Sequence, residues 1–247
     1  MYKFFLAYDK PNAKANMYKL QAISALNFND IYDDDTKDKK PVDTVNYDEL
    51  SLANSDLPYL QERYIEDDTI ERFEIHYDKN LRYLVVPCYN KEREDIGYVK
   101  RMIFGSRKYV NSQELATDEI LYPMDKIPDE VNKVILVEGV FDAIRAHQEG
   151  YINTLSNFGG VLSNNHMKVI GEYTKRVTVC PDKDDEGIRI ANMNIERLQR
   201  YGFIVDILIT PGTSKDLAGV RELVNLKVVS YERMVFAGKS LKSLIRG

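Results

Sequence analysis

Two short runs of branched apolar residues, each closed by acids and a glycine, constrain this chain more than any other feature. K-V-I-L-V-E-G spans Lys133 to Gly139, and R-V-T-V-C-P-D-K-D-D-E-G spans Arg176 to Gly187. A run of this length, rich in valine and isoleucine and ended by turn residues, is how a buried strand of a parallel sheet reads in sequence. Such strands finish together at the carboxyl edge of their sheet, where open α/β folds gather ligands. The pattern therefore aims Glu138, Asp182 and Asp184 at one place.

Carboxylates brought together repel one another and raise each other's pKa, so a cluster of three implies a divalent cation that neutralises it. Oxygen-only ligands fit magnesium, with manganese as the alternative ion, and magnesium keeps room in its shell for water and phosphate. In an extended segment Asp182 and Asp184 point the same way while Lys183 points elsewhere. Gly187 then lets the chain turn into a helix whose apolar positions Ile188, Ala191, Ile195 and Leu198 fall at helical spacing. Alone, D-K-D-D-E-G also fits a solvated turn with Asp185 or Glu186 at the helix N-terminus. A second strand ending in E-G turns the reading towards a metal site.

At 247 residues, with 44% hydrophobic and 30% charged, the chain has enough apolar material for one large or two small domains. No apolar run approaches the roughly 20 residues of a membrane span. The opening M-Y-K-F-F-L-A-Y-D-K is too short in apolar residues for a secretory signal, so the expected location is the cytoplasm. Cys88 and Cys180 sit in separate runs and form no C-x-x-C pair, which fits a reducing compartment; no zinc is expected. The net charge of −5 disfavours nucleic acid taken as a whole, but it is uneven. Residues 1–78 carry −8, residues 79–110 carry +5 and residues 221–247 carry +4, so basic ground flanks the acids on both sides in sequence. A polyanion can bind there if cations screen the carboxylates.

Taken in order, residues 1–55 read as a helical and acidic N-terminal region, with a strand or turn at 3–8, a helix at 12–26 and a charged, proline-marked stretch at 29–48. Asp33, Asp34 and Asp35 read there as a solvated run. Residues 56–130 form a second unit. It starts with two short helices, the second capped near Asp67 or Asp68 with Ile70 and Phe73 inward, and continues as a strand meander with basic ends. Residues 113–132 read as a connector. A third unit, 131–220, holds the two acidic strand ends, a further buried strand at G-F-I-V-D-I-L-I-T-P-G, and a glycine turn at Asn157 to Gly160. Asp142 lies one helical turn after Glu138, either as a further acid of the cluster or as a first-turn acid complementing the helix dipole. His147 and His166 fall on amphipathic helices and read as packing or solvent-facing residues. Residues 221–247 read as a C-terminal basic helix.

V-E-G-V-F-D (Val137 to Asp142), P-D-K-D-D-E-G (Pro181 to Gly187) and S-K-D (Ser214 to Asp216) together resemble the TOPRIM domain shared by topoisomerases, bacterial-type primases and some nucleases. Upstream, Tyr59, Leu60, Arg63 and Phe73, then Val86, Pro87, Gly97, Arg101, Lys108, Tyr109, Val110, Asn111 and Ser112, resemble the amino-terminal half of the primase polymerase core. The similarity runs from about residue 56 to residue 220.

The resemblance implies an α/β fold: a TOPRIM domain, a parallel sheet sandwiched by helices, preceded by a smaller α+β primase-like subdomain. It implies Glu138, Asp182 and Asp184 as catalytic metal ligands, with Asp216 and Asp142 as further acids; Ser214 departs from the family's usual acid and puts a third metal site in doubt. Arg101, Lys108, Tyr109, Lys183 and Lys215 are implied contacts for nucleotide or nucleic acid. The implied activity is primer synthesis on single-stranded DNA from nucleoside triphosphates by a primase-type nucleotidyltransferase. A metal-dependent TOPRIM nuclease and a non-catalytic single-strand-binding replication subunit are the alternatives. A replicative helicase or a separate zinc-binding subunit is the expected partner, and the lysine-, asparagine- and tyrosine-rich build fits a phage protein.

Overall fold

The computed structural model describes residues 50–79, 82–103 and 108–246. The strand, helix and acidic stretch expected within 3–48 lie outside the described residues.

The first sheet is an antiparallel meander of β1 (Ser51–Leu52), β2 (His76–Asp78), β3 (Tyr83–Tyr89), β4 (Asp95–Met102) and β5 (Tyr109–Asn111), each strand beside its predecessor. Ser51 lies opposite Tyr77, so the sheet begins ahead of the boundary expected at residue 56. Between β1 and β2 stand α1 (Pro58–Gln61), opened by a proline whose ring presets φ, and α2 (Asp67–Arg72), with Asp67 and Asp68 in its first turn. Ile70 and Phe73 are buried, as the pattern predicts.

The second sheet contains β6 (Val134–Val137), β7 (Thr154–Ser156), β8 (Arg176–Val179), β9 (Ile204–Ile209) and β10 (Lys227–Ser230), in the order β10-β9-β8-β6-β7. β7, β6, β8 and β9 are parallel, and β10 closes the edge antiparallel to β9. The crossovers are α3 (Val140–Gln148), α4 (Asn164–Tyr173) and α5 (Asp185–Arg200). From β6 the chain first moves outward to β7 and then returns to the other side of β6 as β8. The crevice beyond β6 and β8 is therefore the switch point at which sheets of this kind bind ligands.

Side-chain alternation along β6 builds both cores. Ile135 and Val137 join Phe141 and Ile144 of α3, Val86 of the first sheet, and Leu60 and Phe73 from the two helical turns that precede β2. Val134 and Leu136 face the other way, onto Met167 and Ile170 of α4 and Ile188, Ala191, Ile195 and Leu198 of α5. Helix α3 is thus the shared wall between the two sheets, which accounts for eight of its nine residues being buried. His147 and His166 are buried and bond the carbonyls of Thr154 and Thr117.

Two expectations are corrected. The C-terminal region is not one basic helix: β10 extends the second sheet past residue 220, and two short helices follow, α6 (Tyr231–Phe236) and α7 (Leu241–Arg246). Gly238, at φ +67°, takes the left-handed conformation that ends a helix, which splits the run. The expected connector 113–132 is also more than a link. Leu121 and Tyr122 are buried, and Tyr122 and Ser156 exchange backbone hydrogen bonds at 2.9 and 2.7 Å along the free side of β7. Among the described residues no helix is long and apolar enough to cross a membrane.

Candidate active site

Three adjacent strand ends deliver the acids. Glu138 follows β6, Asp182 and Asp184 follow β8, and Lys215 and Asp216 follow β9. The β8 end folds back sharply into α5. A Cβ on Gly187 would stand 2.5 Å from Asp182 Cβ and 2.9 Å from its carbonyl oxygen, so only glycine allows that approach. Asp184 is the N-cap of α5, its Oδ1 accepting from Gly187 N–H at 2.7 Å, and Asp185 and Glu186 follow in the first turn, near the N-terminus as the sequence suggests. Ser156 Oγ donates to the Glu138 carbonyl at 2.8 Å and accepts from Phe158 N–H at 3.1 Å, tying the glycine turn to the β6 end.

The acids differ in their electrostatics. Burial, reinforced by Asp182 and Asp184, pushes Glu138 up to about 7. Asp182, 14% exposed, is pushed up to about 6, chiefly by burial. Asp184 is held low by its hydrogen bonds to Lys215 and to the Gly187 amide. Asp142 is buried and raised by desolvation and by Asp216 and Asp182; its Oδ1 accepts from Ala218 N–H at 2.7 Å. That bond ties α3 to the loop after β9, so Asp142 positions the loop. Asp216 Oδ1 accepts from Gly219 N–H at 2.9 Å and lines the same cleft.

Across a cleft of about 400 Å³ stands the face of the antiparallel sheet. Arg101 lies directly opposite Tyr109, and Val99 opposite Asn111, so the two-residue period of β4 and β5 presents all four to the cleft. The Arg101 guanidinium lies 4.5 Å from the Tyr59 ring and 4.8 Å from the Tyr109 ring. Arg101 is only 9% exposed, yet its Nε and Nη1 have no hydrogen-bond partner. A buried cation with open donors is costly unless an anion completes it. Lys108 lines the cleft, as does Arg63, which stacks 4.0 Å over Tyr59.

Of the residues the sequence singles out, Glu138, Asp142, Asp182, Asp184, Asp216, Arg101, Lys108, Tyr109 and Lys215 gather at or beside this cleft. Lys183 does not: its ammonium donates to the Gly212 carbonyl, and it lines a separate hollow with Lys227 and Arg246. Arg63, which the sequence marks only within a motif, and Phe158 and Gly159, which read as an ordinary turn, also line the cleft. Nothing local marks Arg63, because its place depends on where α1 docks against α3.

The donor set is carboxylate oxygen without histidine or cysteine, and raised pKa values show charge in need of neutralisation, so the residues fit a hard divalent cation. Among the described residues, however, no three acidic, histidine or cysteine side chains converge into a ready ligand set. Lys215 Nζ stands between Asp182 Oδ2 at 3.4 Å and Asp184 Oδ2 at 2.8 Å.

Residues 135–220, the stretch that holds the acidic strand ends, match the family described as Toprim-like, so the chain carries a Toprim-like domain there. The described fold as a whole, antiparallel sheet included, resembles the catalytic core of DnaG primase. One DnaG catalytic core superposes with a TM-score of 0.58 at 20% identity, over 68% of each chain. A DnaG catalytic domain bound to single-stranded DNA gives 0.56 at 19% identity, over 84% of this chain and 77% of that one. In sequence, 143 residues are 27% identical to the DNA primase of Staphylococcus aureus (strain COL), covering 55% of this chain and 24% of the primase. A stretch of 140 residues is 29% identical to the DNA primase of Thermotoga maritima, covering 54% and 25%. The chain spans about a quarter of the length of these relatives.

Proposed function

We propose that the chain is a primase core, which joins nucleoside triphosphates into short RNA on a single-stranded DNA template. The observation that carries this reading is the facing of two unlike walls across one cleft. A cation-and-tyrosine wall from the antiparallel sheet looks onto the acids of the Toprim sheet. A Toprim domain alone is compatible with strand cleavage; the second wall supplies what a polymerising site needs, a surface for a polyanion beside the acids.

On this reading Glu138, Asp182 and Asp184 hold magnesium, which when bound neutralises triphosphate charge and lowers the pKa of the attacking hydroxyl. The chain's own residues bind and orient. Arg101 offers a guanidinium with unpaired donors, Nε on one bidentate edge and Nη1 on the other, to a phosphate, and Lys108 adds a point charge. Tyr109, 38% exposed, presents a ring on which a base can stack, while its hydroxyl rests 3.4 Å from that of Tyr59. Asp142 and Gly187 fix the loops that carry the acids. Single-stranded DNA and nucleoside triphosphates are the proposed ligands, and a helicase or a zinc-binding chain the proposed partner in choosing the template.

The test incubates the purified chain with single-stranded DNA, labelled ribonucleotides and magnesium, beside Asp182→Asn. Short RNA from the parent and none from the variant is the expected outcome. Degradation of the template by the parent only would replace synthesis with a nuclease, and inactivity in both, even with a helicase added, would leave a binding subunit.

A further inference from the structure

The residue that most needs a reason is Lys215. Its side chain is 53% exposed, yet its ammonium is not directed to solvent: it bridges Asp182 and Asp184, the positions whose spacing is that of a metal pair. Its backbone is fixed, since Lys183 N–H donates to the Lys215 carbonyl at 2.8 Å, locking the loop after β9 to the loop after β8. The preceding Ser214 donates from Oγ to the Asp216 carbonyl at 2.9 Å, so the segment is a formed turn. A long flexible arm thus starts from a rigid base at the mouth of the cleft. It reaches the acids in one rotamer, and the same cleft is lined by Arg63, Arg101 and Lys108.

We propose that Lys215 is a built-in placeholder for the metal: its ammonium neutralises Asp182 and Asp184 until a divalent cation displaces it into the cleft, where it joins the wall that receives the anion. This rests on the metal-dependent reading of the site and adds an order of events to it. Without the ion, three acids at one sheet edge keep a counter-charge and the loops stay in place. With it, the site gains the ion and also frees one cation for the substrate phosphates. Metal and anion binding are then coupled through one side chain, and the coupling is reciprocal. An exposed lysine suits the role because its pairing is weak enough to be displaced.

The experiment titrates magnesium chloride into the purified chain by isothermal calorimetry, for the parent, Lys215→Met, Lys215→Arg and Lys227→Met, after thermal melts establish that each is folded. Lys227 lies away from the acids and changes the net charge equally. Removing the competing ammonium is expected to tighten magnesium binding about five- to tenfold in Lys215→Met. Lys215→Arg and Lys227→Met should stay within about twofold of the parent, since the first retains a competing cation and the second never competes. A second arm titrates pyrophosphate at saturating magnesium, where Lys215→Met is expected to bind several-fold more weakly than the parent and Lys227→Met is not. Unchanged or weaker magnesium binding by Lys215→Met overturns the placeholder while leaving the metal site standing. No magnesium binding by the parent or any variant overturns both.

Discussion

The two walls of the cleft are built on opposite principles. The Toprim wall is made of the loops that leave strand ends: Glu138 directly follows β6, Asp182 and Asp184 lie three and five residues past β8, and Asp216 lies seven past β9, so adjacent parallel strands bring them to one edge. The facing wall is made of side chains that project from a sheet face within paired strands, where Arg101 and Tyr109 meet as cross-strand neighbours of an antiparallel pair. The first wall accumulates negative charge that burial makes costly, as the raised Glu138 and Asp182 show. The second accumulates an unsatisfied positive charge, as the open donors of Arg101 show. Each wall carries an electrostatic cost in the absence of ligand, and the ligands that relieve the two costs are of opposite sign. A cation bound to a polyanion relieves both at once.

If that contrast is right, breaking the acidic wall has the largest effect. Asp182→Asn removes a buried ligand oxygen and one negative charge at the switch point. Nucleotide incorporation should fall at least about 100-fold, the scale lost when a catalytic electrostatic group is removed. Measured in excess chelator at pH 8, the melting temperature of the variant should equal or exceed that of the parent, because the deleted charge was costly. A variant that is both inactive and strongly destabilised would mean that Asp182 serves the fold rather than the ion.

Next in size is Gly187→Ala. Its added carbon meets Asp182 at 2.5 Å and the backbone cannot yield cheaply, so unfolding in urea should show a loss of about 1–3 kcal/mol, the usual cost of overpacking. Incorporation should drop more than stability alone explains, because the clash moves the ligand loop. Wild-type activity in a stable Gly187→Ala chain would separate the loop from the chemistry.

The basic wall should respond differently. Arg101→Leu deletes a buried cation that has open donors, so the variant should be as stable as the parent or more so, while affinity for single-stranded DNA or nucleotide falls about tenfold, within the range lost with one charge-assisted contact. Fluorescence anisotropy and chemical denaturation on the same sample read the two quantities. Loss of stability without loss of binding would make Arg101 a packing residue between two tyrosines.

The acidic wall was legible because its signals are local. Branched runs, acids and glycines at fixed spacing predict Glu138, Asp182, Asp184 and the buried face of α5 without knowledge of the rest of the chain. The α+β subdomain and the mostly parallel sheet were legible for the same reason. What failed was long-range. The alternation that faces Asp182 and Asp184 alike also turns Lys183 away, and this excludes it from the cleft; the resemblance had grouped it with the phosphate contacts. The break at Gly238 and the strand at Lys227–Ser230 were hidden in a run of basic residues, because whether a short apolar run such as Val228–Val229 joins a sheet depends on the edge β9 offers. That Lys215 would lie between the acids could not be read at all, since it depends on two loops tied by one backbone hydrogen bond between Lys183 and Lys215, 32 positions apart in sequence.

The smallest effect is the most specific to the contrast between the walls. Glu138 and Asp182 have folded-state pKa values above their ordinary ones, about 7 and about 6. Between their unfolded and folded values the folded chain binds more protons, so their contribution to stability is present in acid and is lost as pH rises towards 7. His147, lowered to about 4 by burial, and His166, also lowered by burial, act in the opposite direction over part of that window, since neutral imidazole is favoured in the folded chain and stability falls as pH drops below their unfolded value. A single pH profile therefore mixes the two. Melting curves taken with magnesium and with chelator isolate the acids, because the histidines bond backbone carbonyls away from the cleft and contribute equally to both. The gap between the two curves should widen by about 2–4 °C from pH 5 to pH 8, the response of a chain of this size to roughly 1 kcal/mol. It should shrink in Glu138→Gln, which no longer has that charge to relieve, and persist in Arg101→Leu, whose wall faces the anion. A gap independent of pH would mean that magnesium binds elsewhere, and the acidic wall would then be held together by Lys215 alone.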